Sequence, residues 1–138
     1  MHSTPSRDPA LAHLQQRIAA FDNCEFARLL GITIAEAREG YARVLMPSAG
    51  KNNPNDVIHG GAIFTLADQA FAIAANAGTA KRVAVSAHIQ YLAPASGDLE
   101  AVAEYVGGSR RYSTYRVTVF DGERMVATFD GTAIQISP

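Results

Sequence analysis

The stretch HGGAIFTLADQAFAIAANAG, residues 59–78, decides how the rest of the chain is read. Between Ala62 and Ala77 it holds no Lys, Arg or Glu and a single charge, Asp68. Its length and alanine content suit a helix, and Ile63, Phe64, Leu66, Phe71 and Ile73 cover much of its circumference. The polar residues Thr65, Asp68, Gln69 and Asn76 fall at i, i+3, i+4 and i+11, one narrow stripe with Ala72 in the gap. A solvated helix edge ordinarily carries Lys, Glu or Arg, and this one has none. The pattern predicts a helix buried on most sides, with a small polar edge suited to close approach by another chain.

The flanking sequence predicts what this helix covers. Upstream, Leu11, Leu14, Ile18 and Phe21 recur at helical spacing over residues 10–21. Asp22 or Asn23 is the expected cap of a second short helix that reaches Leu30 and stops at Gly31. Residues 1–9, with Pro5 and Pro9 as breakers, read as a flexible tail. Two strands, 32–38 and 41–46, flank a Glu39-Gly40 turn, and 47–58 reads as a loop dense in turn formers. After the helix come strands at 83–92 and 99–106, with a turn at Gly107-Gly108. Strands at 110–120 and 123–136 then flank Asp121-Gly122, a strong hairpin signal. With no internal repeat or composition shift, residues 1–138 read as one α+β domain whose antiparallel sheet needs its apolar face covered.

Composition bounds the function. Hydrophobic residues make up 48% and charged residues 18% of 138 residues, an ordinary globular balance. A net charge of −1 without a polybasic cluster argues against nucleic acid as the main partner. The N-terminal residues lack an apolar stretch of signal-peptide type, and the apolar run interrupted by Asp68 falls short of the ~20 residues a bilayer needs. The expectation is a cytoplasmic protein with no membrane partner. The one cysteine, Cys24, permits no internal disulfide and reads as a packed thiol. The four histidines lack ligand spacing with one another, so no metal is expected, and no GxSxG elbow is present.

The residues around the helix start carry chemistry. Asn53, His59, Gly60 and Gly61 lie before or within the first turn, where unpaired N–H groups and the helix dipole favour negative charge. Such a place suits an anion, or an oxyanion developing on a carbonyl. Taken alone, His-Gly-Gly equally describes a turn around a satisfied histidine. The combination is more specific. Asn53, His59-Gly60-Gly61 six residues on, and Leu66-Ala67-Asp68 together resemble the hotdog-fold thioesterases of the phenylacetic acid degradation (PaaI) type. The resemblance extends from about Leu29 to Ile136 and takes in GITI, the strand ending YLAP, and SRRYSTYRVTVFDGERMVATFDGTA.

That resemblance implies a hotdog fold, a sheet wrapped around the long helix, paired into homodimers and usually homotetramers. It also implies hydrolysis of an acyl-CoA thioester without cofactor, metal or prosthetic group. Asp68 falls on the family's catalytic carboxylate, general base or nucleophile, and Gly60 on the backbone N–H that polarises the carbonyl. His59 and Asn53 match residues that organise the loop and place water or carbonyl, with Gly61 beside them at the substrate. The family often has Gly where this chain has Asp56, and a Thr or Ser on the following strand often supports the carboxylate. Ser86 and His88 are the candidates here, on one face by period-2 alternation. Arg110 and Arg111, at the start of a strand, suit coenzyme A phosphates, and alternation allows one of them to face the ligand.

Geometry adds an independent constraint. Gly60 and Asp68 are eight residues apart, about 12 Å along a helix. Both must lie within about 3 Å of one reacting centre or its water. One helix cannot readily do both, whereas two antiparallel helices from two subunits can. The resemblance implies hydrolysis of an aromatic or medium-chain acyl-CoA, and the geometry adds the expectation that the sites are shared within a dimer. The alternatives are a hotdog hydratase or dehydratase using His59 with Asp68, and a non-catalytic acyl-CoA binder.

Overall fold

A computed structural model describes residues 8–137. In chain order the elements are α1 (Pro9–Asp22), α2 (Glu25–Leu29), β1 (Thr33–Arg38), β2 (Tyr41–Met46), α3 (Gly60–Asn76), β3 (Arg82–Tyr91), β4 (Leu99–Gly108), β5 (Tyr112–Asp121) and β6 (Arg124–Gln135). The six strands form one sheet in the order β1-β2-β4-β5-β6-β3, and each neighbouring pair is antiparallel. α3 lies across one face of this sheet, as a hotdog fold requires.

Alternation explains the core. Ala42, Val44 and Met46 of β2, Leu99, Ala101 and Ala103 of β4, Tyr115, Val117 and Val119 of β5, and Ala127, Phe129 and Ala133 of β6 point at α3 and are buried. From α3, Ile63, Leu66, Phe71 and Ile73 fill the space, each worth about 1.5–3 kcal/mol when fully buried. Ala67, Ala70 and Ala74 are fully buried as well, and their small size lets the helix axis come close to the strands. The tightest point is Phe71. Its ring packs on Tyr115 and Phe129 at centroid distances of 5.5 and 5.7 Å. A Cβ at Gly131 would lie 2.9 Å from three atoms of that ring, so the strand is glycine where the ring crosses it.

The C-terminal end of α3 is fully occupied. Ala74 O accepts from Gly40 N at 3.0 Å, and Ala75 O from the Arg82 guanidinium at 2.8 Å. Asn76 O accepts from Arg17 Nε at 3.1 Å, and Gly78 O lies 2.9 Å from His13 Nε2. The Arg82 and Arg17 guanidinium groups at these carbonyls also suit the negative end of the helix dipole. The Asn76 side chain turns the chain into β3: its Oδ1 accepts from Arg82 N at 2.8 Å and its Nδ2 donates to Arg82 O at 3.1 Å.

Three sequence expectations are corrected here. Pro9 does not belong to a tail: Asp8 caps α1, accepting from Ala10 N at 3.0 Å, and Pro9 opens the helix at a position that needs no N–H. The rest of the expected tail, residues 1–7, lies outside the described residues. α2 is capped by Cys24, without a side-chain bond, rather than by Asp22 or Asn23. Gly107 and Gly108 are part of β4, with a bulge between Tyr105 and Gly107, and the turn falls on Ser109–Arg111. The Gly40 and Gly122 turns form where expected, with φ of 78° and 64°.

Gly131→Ala is expected to destabilise the protein by about 1–3 kcal/mol through overpacking against Phe71. Urea unfolding checks this, and adding Phe71→Leu to the same chain should recover part of the loss because the ring is the obstacle.

Candidate active site

The start of α3 is held from both sides. The loop before it is closed by an Asn52–Ile58 bridge and by His59 N donating to Lys51 O at 2.8 Å. Asn53 organises its tip: Oδ1 accepts from Asn55 N at 2.8 Å and Val57 N at 3.4 Å, and its own N–H donates to Val57 O at 2.7 Å. Asp56 completes this turn with φ 60°, the left-handed conformation that glycine adopts freely and a short Asp tolerates. The departure from glycine at this position therefore keeps a residue type compatible with the turn.

His59 is the N-cap of α3, and its Nδ1 accepts from Gly61 N at 2.8 Å. That assignment leaves the proton of the neutral ring on Nε2. Gly61's N–H is thus used within the chain. The N–H of Gly60 has no acceptor among the described residues. Gly60 O accepts from the Tyr91 hydroxyl at 2.9 Å, and the Tyr91 ring stands 3.2 Å from where a Gly60 Cβ would be. Tyr91 pins the oxyanion candidate, a role absent from the sequence reading. The only local signal is its place at the end of β3, in YLAP; the contact itself bridges 31 residues.

Asp68 sits in the middle of α3, half-buried, beside a cavity of about 450 Å³. Phe21, Phe71, Ala72, Ala75, Val83 and Ala84 are among its walls. No hydrogen bond or ion pair reaches the carboxylate among the described residues, and burial raises its pKa above the ordinary 3.8. An unpaired, desolvated carboxylate is a stronger base than a solvated one. α1 roofs part of the polar stripe: Gln69 Nε2 donates to Phe21 O at 3.5 Å, and Arg17 stands over the Phe21 ring. The stripe expected to face another chain is therefore partly covered by the chain's own first helix, with Asn76 committed to Arg82.

The two chemical groups do not meet within one chain. Gly60 lines a separate cavity with Ile58, Ile63, Tyr91 and Leu92, which shares no residue with the Asp68 cavity. Ser86 and His88 pair across β6 with Thr132 and Asp130, on the face turned away from α3. A bulge between Ala84 and Ser86 resets the alternation, so Ala84 lines the Asp68 cavity and the two expected supporters do not. Arg110 and Arg111 lie in the turn before β5 and not on the strand, so both line one cavity of about 290 Å³ with Gln135, Ile136 and Ser137. Among the described residues no three His, Cys, Asp or Glu cluster as a metal site would require, and no helix is long and apolar enough to cross a membrane.

Comparison with known proteins identifies the family and agrees with the fold. Residues 55–128 match the model of the thioesterase superfamily. The chain is 34% identical over 126 residues to the acyl-coenzyme A thioesterase PaaI of Escherichia coli, covering 88% of this chain and 90% of the relative. It superposes on the structure of the E. coli PaaI protein, described as from the phenylacetic acid degradation operon, with a TM-score of 0.85 and 32% identity over 91% of this chain and 94% of that one. A variant of the phenylacetic acid degradation protein PaaI from Thermus thermophilus matches with a TM-score of 0.75 and 36% identity, over 80% and 98% of the two chains. With this fold, and a motif-bearing helix that presents a free N–H and an unpaired carboxylate, the chain belongs to the thioesterase superfamily, as a hotdog-fold acyl-CoA thioesterase of the PaaI type.

Proposed function

We propose that the protein hydrolyses an aromatic or medium-chain acyl-CoA at two equivalent sites, each built from Asp68 of one protomer and Gly60 N–H of the other. The observation that carries this reading is the pairing of an unpartnered half-buried carboxylate with a free helix-terminal N–H in cavities that one chain keeps apart. In the reaction, water attacks the thioester carbonyl carbon as Asp68 takes its proton. Negative charge gathers on the carbonyl oxygen, where Gly60 N–H and the positive end of α3 meet it. The C–S bond then breaks, and the proton returns to the leaving coenzyme A thiolate. Water, a carboxylate and a backbone N–H suffice, and coenzyme A enters as part of the substrate.

The free edge of β3 supports the dimer. Its outer side has no strand beside it, and Val83, Val85, Tyr91 and Leu92 are exposed along it and its end. An exposed apolar edge is a template for strand addition. Antiparallel pairing of β3 with its copy joins two sheets and sets two α3 helices side by side in opposite directions, which is the arrangement the shared site needs. The tetramer implied by the resemblance would join two such dimers. The walls of the Asp68 cavity, largely alanine and phenylalanine, suit an aryl or short alkyl group. Arg110 and Arg111, sharing one cavity, are the candidates for coenzyme A phosphate.

Asp68→Asn is expected to lower kcat at least ~10²-fold in thiol-release assays while the protein folds and dimerises. Because burial raises the Asp68 pKa, the fold favours the protonated form: its contribution to stability is full below 3.8 and is lost as pH rises through the raised value. The Asn variant should accordingly unfold no lower than wild type at pH 7, with any advantage shrinking toward pH 3.8. In single turnovers in ¹⁸O-water the label should enter the acid product directly; label in Asp68 instead would make the carboxylate a nucleophile.

Proline is tolerated at the first helical position but has no N–H. Gly60→Pro should therefore abolish turnover, whereas Gly60→Ala, which meets the same Tyr91 ring, should retain more. Mixing the inactive Gly60→Pro and Asp68→Asn proteins after subunit exchange should restore about a quarter of wild-type activity, since half the dimers then carry one intact site. Sites contained in single chains would show no recovery.

A further inference from the structure

Two cavities meet at one side chain. The first is the cavity of about 450 Å³ beside Asp68. The second, of about 650 Å³, opens between the β1–β2 hairpin and the turn end of β4 and β5, with Glu39, Tyr41, Glu104, Tyr105 and Tyr115 on its walls. Arg82 lines both, and their linings share no other residue.

Arg82 is held as a fixed partition. Both its backbone groups are bound by the Asn76 side chain, at 2.8 and 3.1 Å, and its guanidinium donates to Ala75 O at 2.8 Å. Its charge reaches into the second cavity, where burial pushes the Tyr115 hydroxyl pKa up and Arg82 opposes that rise. The chemistry changes across it. On the Asp68 side Phe21, Phe71, Val83 and alanines make most of the wall, beside Arg17, Asn76 and Lys81; on the other side stand tyrosine rings, Arg38 and two carboxylates with no ion pair among the described residues.

The distance matters. Asp68 and Ala75 are seven residues apart on α3, about 10 Å along its axis. With the thioester carbonyl at Asp68, an acyl group lying along the helix meets the Arg82 guanidinium at that depth. An alkyl chain pushed further would also have to desolvate a charge.

We propose that Arg82 is the end wall of the acyl cavity, a specificity-determining residue that limits the acyl group to about medium length and closes the tyrosine-lined cavity to it. This rests on the reading of Asp68 as the group beside the thioester carbonyl. Opening the wall joins the two cavities. Tyr41, Tyr105 and Tyr115 then accept a longer neutral or aryl-tipped tail, while Glu39 and Glu104 disfavour an anionic one.

The test compares wild type, Arg82→Ala and Arg82→Met across coenzyme A esters from butyryl to palmitoyl. kcat/KM is measured on the esters, and affinity by calorimetry on the matching non-hydrolysable S-alkyl thioethers. Arg82→Ala should favour palmitoyl over octanoyl by about 10-fold more than wild type, the scale on which hydrophobic pockets discriminate size. Arg82→Met, which keeps the bulk, should leave the wild-type profile in place. Arg82→Ser, equally short but able to hold water at the freed Ala75 O, is the second opened variant if the alanine protein folds poorly. Superimposable length profiles for wild type and the opened variants overturn the proposal. A gain for long chains that persists when Ser109→Trp fills the second cavity overturns it too. Thioether binding separates the two readings. A shifted affinity profile without hydrolysis by any form removes the thioesterase reading and keeps the partition; robust hydrolysis with an unchanged profile removes the partition alone.

Discussion

The contact on which the structure depends is the close seating of α3 on its sheet, with the Phe71 ring lying over Gly131 and three fully buried alanines beneath the helix. A helix packed this closely does not flex, because a dense interior shifts between discrete arrangements and does not bend smoothly. α3 therefore acts as a rigid ruler. It fixes the interval between the Gly60 N–H and the Asp68 carboxylate, and that interval, about 12 Å, is too long for one chemical event. The shared site proposed above rests on this stiffness as much as on residue identity.

The two ends of this helix are treated oppositely. At the C-terminal end the carbonyls are met by Gly40, Arg82, Arg17 and His13. At the N-terminal end His59 satisfies Gly61, and Gly60 is left open. A helix whose negative end is neutralised and whose positive end is free points its dipole field at whatever binds there. Asp68 sits between, half-buried, where ionising its carboxylate is a cost to folding. Arg82 links the two concerns: it caps the helix and divides the space along it.

Much of this was legible in the residue pattern. Strands with period-2 alternation and the glycine turns at Gly40 and Gly122 lie within a residue or two of their expected places, because one buried face enforces the alternation. The motif around His59 and Asp68 was equally visible, since its parts are close in sequence. The failures among the strands share a cause. Ser86 and His88 were assigned by unbroken alternation, and a single unpaired residue, Val85, turned their face outward. Gly107 and Gly108 look like a turn but continue β4 through a bulge, which moved Arg110 and Arg111 off the strand and side by side. Local sequence carries no sign of a bulge whose reason is the neighbouring strand.

By itself, then, the sequence determined a helix within 59–78, its lone charge and the antiparallel strands around it, because each follows from local spacing. What only the tertiary structure decided is which distant groups meet. Tyr91 bonds Gly60 across 31 residues, Phe21 roofs the cavity of Asp68, and Arg82 stands between two cavities. These encounters depend on strand order and on the angle at which α3 crosses the sheet. That information lies in how the elements pack and not in any one segment.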